Sequence, residues 1–219
     1  MRQLFIYFFI LFLVSITFAQ TNQRQTNTGT NQANQTNQSA NNIEKIPDGY
    51  GTVTWAMYLS DARDKISGIL TYSDEKTVII SKDNELEYYY GFFYKEPTTD
   101  PTRTDAAPNN NAAGNTQEKD EGKLFYVAMN FPYLARDQVY DKIQKKYGKH
   151  TSENVKDNKG AIAWNSENTI IIMWVDQYER KPFCRRIIYV SKKIASELNE
   201  YTYSILNKTE IDLIKRMNP

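Results

Sequence analysis

The 219-residue chain has one cysteine, Cys184, and one histidine, His150. A single thiol cannot close an internal disulfide or build a zinc–thiolate or iron–sulfur site, and a single imidazole cannot supply the usual ligand set of a catalytic zinc. No metal or other cofactor is therefore expected. An excess of either charge is also missing, since 27 Lys and Arg stand against 26 Asp and Glu. Without a basic surplus there is little counterion release to gain on a phosphate backbone, so nucleic acid is not an expected partner. The chain contains no phosphate-cradling glycine loop and no G-x-S-x-G, S-x-x-K or H-E-x-x-H pattern. What is present is 40% hydrophobic and 13% aromatic residues. A mean hydropathy of -0.65 means that strongly polar segments dilute a folded part.

The first segment is Met1-Arg2-Gln3 followed by an almost unbroken apolar run from Leu4 to Phe18, with Ala19 before Gln20. A basic start, an apolar stretch shorter than a spanning helix and a small residue at the cut predict a secretory signal peptide over 1–19. An uncleaved membrane anchor is the alternative. Position 20 is Gln, so the cysteine needed for bacterial lipid attachment is absent. Cleavage leaves no membrane span and removes Arg2, which takes the formal charge to zero.

Residues 20–44 are rich in Asn, Thr and Gln and offer no apolar face, so a disordered linker is expected there. A second polar stretch at about 97–122 carries Pro101, Pro108, Asn109-Asn110-Asn111 and the acidic cluster Glu118 to Glu121. It reads as a disordered insertion within a single α+β domain spanning 45–219, because the apolar piece before it is small for an independent core.

Within that domain, Ser60-Asp61 caps a helix through Ile66, and Val78–Ile80 with Leu86–Tyr94 reads as a hairpin turned by Lys82–Glu85. Leu124–Phe131 is strand-like. Val139, Ile143 and Tyr147 recur at steps of four before Gly148, predicting an amphipathic helix over 135–147. Strands are expected at 161–164, 169–175 and 185–190. A last helix follows from the spacing of Ile194, Leu198, Tyr201 and Ile205, and Thr209 with Asp212 resembles a capping box. The fold class is an antiparallel sheet with helices packed on one face. The trios Ala62-Arg63-Asp64 and Ala135-Arg136-Asp137 raise the reading of a duplicated β-α-β-β unit.

Tyr88, Tyr90, Phe92 and Tyr94 share one face of a strand and are the candidate binding residues, as a partly exposed aromatic platform. A central strand covered on that face is the competing reading. Trp55, Trp164 and Trp174 carry the same ambiguity, with core burial favoured for the last two. Cys184 and His150 are the sole thiolate–imidazole pair available to a nucleophilic mechanism. Neither has a recognisable signature, a small buried hydrophobe and a solvated loop residue being the simpler readings. The carboxylate pairs Asp61/Asp64 and Glu85/Glu87 read as a turn and a solvated face. The basic clusters at Lys142–Lys149 and around Pro182, comprising Arg180, Lys181, Arg185 and Arg186, are nonspecific. No catalytic residue emerges, and the chain is not expected to be an enzyme.

Gly51-Thr52-Val53-Thr54-Trp55, Leu59-Ser60-Asp61-Ala62-Arg63 and Tyr90-Gly91-Phe92-Phe93-Tyr94 resemble exported, spirochaete-type cell-envelope proteins of unassigned function. That family commonly carries Gly where this chain has Ala56. The resemblance implies export and no particular chemistry. The resulting expectation is a noncatalytic periplasmic binding or structural protein that contacts another envelope protein. The alternatives are a surface adhesin for host matrix proteins and a cysteine-dependent hydrolase.

Overall fold

The computed structural model describes residues 43–95, 119–205 and Thr209. The signal peptide, most of the linker, residues 96–118 of the insertion and the capping box at Thr209–Asp212 lie outside the described residues. Ile43–Tyr201 form one unit.

A small ribbon, β1 (Gly49–Tyr50) with β2 (Val53–Thr54), precedes a five-residue helix α1 (Leu59–Arg63). A meander follows: β3 (Ile69–Ser73), β4 (Val78–Asp83), β5 (Leu86–Phe93) and β6 (Lys123–Ala135). Helix α2 (Arg136–Tyr147) leads to a second meander of β7 (Ser152–Lys156), β8 (Lys159–Asn165), β9 (Thr169–Tyr178) and β10 (Lys181–Ser191). Helix α3 (Lys192–Ile205) follows β10. The meanders join through β6 and β10 into one eight-stranded antiparallel sheet of order β3-β4-β5-β6-β10-β9-β8-β7. The class is α+β.

The sheet order reads as two copies of a helix followed by four strands, related by a pseudo-two-fold axis through the Ala128–Ile188 pair. The irregularities repeat as well. Between β5 and β6 the register slips so that Phe125 is extra opposite Gly91–Phe92. Between β9 and β10, Arg185 is extra opposite Trp174–Val175. A bulge at matching places in matching strands is a designed feature of a sheet, so the duplication rests on geometry. The repeat unit is α-β-β-β-β rather than β-α-β-β. The Ala-Arg-Asp trios do not correspond, since the first ends α1 and the second opens α2.

Side-chain alternation gives the sheet two unlike faces. The first carries Ile79, Tyr88, Tyr90, Phe92, Val127, Ile171, Met173 and Tyr189, closed over by Ile46, Val53, Leu59 and Ala62 and by Val139 and Ile143 of α2. Burying each of those two α2 side chains is worth about 1.5–3 kcal/mol. Gly148 stops α2 with φ at 82°, and its carbonyl receives Trp164 Nε1–H at 2.8 Å. Trp164 is core, as expected.

Helix α3 departs from the expectation that the helices share a face. Phe92 lies in the main core, so Phe93 points to the second face, and its ring meets Tyr201 of α3 at 5.7 Å. Ile194 and Leu198, on the same side of the helix as Tyr201, are buried outside the main core cluster.

Local differences from the sequence reading have physical causes. Helix α1 ends at Arg63, and Tyr58 at its N-cap makes no side-chain cap bond. Ser60 instead donates its N–H and hydroxyl, each at 2.6 Å, to the carboxylate of Glu121. Residues 119–122 are therefore part of the fold rather than free insertion: Lys119 pairs with Asp61 at 2.7 Å, and Gly122 N–H donates to Lys76 O at 2.9 Å. Ala56 adopts φ of 65°, a conformation in which glycine would cost nothing. Both edge strands, β3 and β7, escape the sequence reading, being short and lacking alternation.

Candidate functional site

Three of the four candidate binding residues are buried. Tyr88, Tyr90 and Phe92 are 5%, 1% and 3% exposed, on the face closed by α2 and the N-terminal ribbon. Tyr90 accepts a hydrogen bond from Ser67 N–H at 2.9 Å, and Tyr88 packs between Tyr50 and Tyr90. The platform reading fails there because the strand is central and its face is the core. Tyr94 is half-buried and belongs to the clasp of residues 119–122: its hydroxyl donates to Asp120, and Lys76 Nζ lies 4.5 Å above its ring.

Cys184 and His150 do not form a pair. Cys184 is fully buried, its thiol donates to Arg186 O at 3.5 Å, and burial pushes that thiol up to about 11. His150 is not the solvated loop residue expected: its Nδ1 shares a 2.8 Å hydrogen bond with the Tyr140 hydroxyl, and Glu153 lies 3.6 Å from Nε2. Among the remaining candidates, Asp61 is engaged by Lys119 and Glu87 by Lys82. The Tyr89 hydroxyl, donating at 2.7 Å, is the chief reason the Glu87 carboxyl sits below its ordinary range. A shallow depression beside Trp55, Met57, Ser60 and Lys65 is lined by both Asp61 and Asp64, the carboxylate pair named from the sequence, with Asp61 held by Lys119. Among the described residues no three metal-binding side chains converge, and no helix is long and apolar enough to cross a membrane.

The exposed large hydrophobics concentrate in two places. One is the β3 edge, with Ile69, Leu70 and Tyr72. The other is a corner where β6 ends and the β9–β10 hairpin turns, with Tyr133 (46% exposed), Leu134 and Tyr178 (54% exposed). There three rings touch in a triangle: Tyr133 lies along Tyr178 at 5.8 Å and 27°, and Phe183 meets both edge-on at 6.0 and 6.2 Å. The guanidinium of Arg185 rests 5.5 Å from the Tyr133 centroid and donates to its hydroxyl at 3.0 Å. Asp176 and Phe183 are cross-strand partners one step beyond the buried Val175–Cys184 pair. The ring cluster thus lies on the second face.

That half of the second face also carries Arg186, which donates from Nε to Asn130 Oδ1 at 2.7 Å, and Trp174. Trp174 is half-buried rather than core, and its Nε1–H is shielded with no acceptor. A shielded donor without a partner costs about 1–3 kcal/mol. No family model, curated protein or solved structure matches the chain.

The corner was missed in the sequence because its aromatics come from three strands. One signal was available: Phe131-Pro132-Tyr133 places a proline inside an apolar strand. Proline cannot donate to a ladder and marks a bulge there.

Proposed function

We propose that this is an exported, noncatalytic binding protein of a bacterial cell envelope, of the spirochaete-type kind its sequence resembles. It contacts a protein partner through the open half of the second sheet face. The observation that carries the reading is the exposed Tyr133–Tyr178–Phe183 triangle under Arg185. Tyrosine, phenylalanine and arginine clustered on a rigid sheet are the composition of interface hot spots. Export is supported by the character of residues 1–19. A binding role rather than catalysis is supported by Cys184 and His150, each bonded to another group.

A photo-crosslinking amino acid placed at Tyr178 tests the surface in cells. A single discrete adduct is expected, with none from the same probe at Lys145, exposed on helix α2 over the first face. Trp174→Phe is expected to keep or slightly raise stability, since it removes an unsatisfied donor, while reducing adduct yield. No adduct at Tyr178 above the Lys145 control would remove the proposal.

A further inference from the structure

The pseudo-two-fold axis makes a demand that the chain does not meet. β6 and β10 are equivalent strands, each followed at once by a helix. By symmetry α2 and α3 should lie on the same face at opposite ends of the sheet. Instead α2 buries Val139 and Ile143 in the main core on the first face, and α3 covers the second. Among the described residues, the seat on the second face that mirrors the seat of α3 has no helix.

The exposed aromatic corner is that seat. The matching bulges equate Phe93 with Asp176, Lys95 with Tyr178 and Lys123 with Phe183. In the occupied seat, Tyr201 of α3 packs at 5.7 Å from Phe93 and beneath Lys95 Nζ at 5.8 Å. The vacant seat offers rings beside cations in Tyr133, Tyr178, Phe183 and Arg185; Asp176 stands where the occupied seat has Phe93, and with Glu179 in the turn it only partly offsets Arg180, Lys181 and Arg185. Among the described residues Arg180, Lys181 and Arg185 form no ion pair with a carboxylate. We infer that the vacant seat takes one amphipathic α-helix of a partner protein, its apolar stripe on the three rings and acidic residues on its flank facing Arg180, Lys181 and Arg185. This deepens the binding function proposed above and rests on it.

Helix α3 is itself the pattern such a helix would follow, with Ile194, Leu198 and Tyr201 on one stripe and Glu197 and Glu200 beside it. A stapled peptide carrying the sequence of residues 192–205 is the probe, the staple being needed because so short a helix is marginal in water. Titrated into the isotope-labelled intact protein, it is expected to shift resonances of Tyr133, Tyr178, Phe183 and Arg185. Tyr178→Ala and Arg185→Glu, both at the exposed corner, are each expected to weaken it about tenfold or more. Replacing both peptide glutamates by lysine is expected to do the same. Shifts confined to the β3 edge, or affinity untouched by Tyr178→Ala, would overturn the inference. Equal binding by an unstapled peptide with proline at the Leu198 position would replace the helix by an extended segment and overturn it too. If the peptide fails while the Tyr178 crosslink still captures a partner, the helix is wrong and the binding surface stands. If both fail, both fall.

Discussion

Thr169 is the most consequential buried polar residue of the fold, and removing its hydroxyl tests how the N-terminal ribbon is held. The side chain is fully buried at the start of β9. Its hydroxyl accepts from Trp55 Nε1–H at 2.8 Å and donates to Pro47 O at 2.8 Å. It ties the ribbon that closes the first face to a strand more than a hundred residues away. Thr169→Val keeps the shape and branching and leaves both partners without a bond. Each loss costs about 1–3 kcal/mol, and the added methyl returns at most about 0.8 kcal/mol. A net destabilisation of about 2 kcal/mol in guanidinium unfolding is therefore expected, with Thr169→Ser costing less than half as much. Trp55→Phe combined with Thr169→Val should cost less than the two alone by about 1 kcal/mol, because the double variant strands only Pro47 O. Amide exchange supplies a local readout. Trp55 N–H bonds Asp48 O and Ala56 N–H bonds Leu124 O, so both amides should exchange faster in Thr169→Val. A cost below about 0.5 kcal/mol with unchanged exchange at Trp55 and Ala56 would refute the assignment of the latch.

Two further outcomes follow from titrating groups. Burial raises the Cys184 thiol from 9.0 to about 11, so the folded protein keeps a proton that the unfolded chain releases between those values. Stability should fall as pH rises through that window, and Cys184→Ala should flatten the fall relative to the parent; a thiol reagent at pH 8 should react only on unfolding. For Asp74, burial works to raise the carboxyl, but the Thr77 hydroxyl and the N–H groups of Thr77, Val78 and Lys76 together hold it below its usual value. Its contribution is present above the unfolded carboxylate pKa and lost as pH falls through the folded one. Asp74→Asn should melt below the parent at pH 7, and a gap of the same size at pH 2–3 would count against this account.

The sequence exposes what local periodicity controls. The steps of four at Val139, Ile143 and Tyr147 and the glycine at 148 give α2 almost to the residue. β-branching at Val78–Ile80 and Ile170–Ile172 marks interior strands, each with a neighbour on both sides. The edge strands lack that signal because an edge has no second neighbour to demand apolar residues: β7 reads Ser-Glu-Asn-Val-Lys. Periodicity also cannot say which face of a sheet is the core. Tyr88, Tyr90 and Phe92 on one side and Tyr89 and Phe93 on the other look alike in sequence. Only the path of the chain after β6 and β10 decides that the first set is covered. The aromatic corner is less legible still, since its rings meet by cross-strand register.

That path traces to a few residues. Between the Asn130–Arg186 and Leu134–Cys184 pairs, β6 spends Phe131, Pro132 and Tyr133 where β10 spends Arg185 alone. Pro132 has no N–H to give to the ladder, so β6 must leave its register there. The detour returns Phe131 to the core and lifts Tyr133 to the second face. It also separates the end of β6 from the geometry that its counterpart keeps up to Ser191, and α2 then descends on the first face while α3 takes the second. One departure from the repeat thus accounts for two features at once. It supplies the helix that completes the core, and among the described residues it leaves a ring-lined, cation-flanked seat without a helix on the other side. A duplicated fold has a natural place for a binding surface wherever its two halves cease to match, because the element that covers one half is missing from the other.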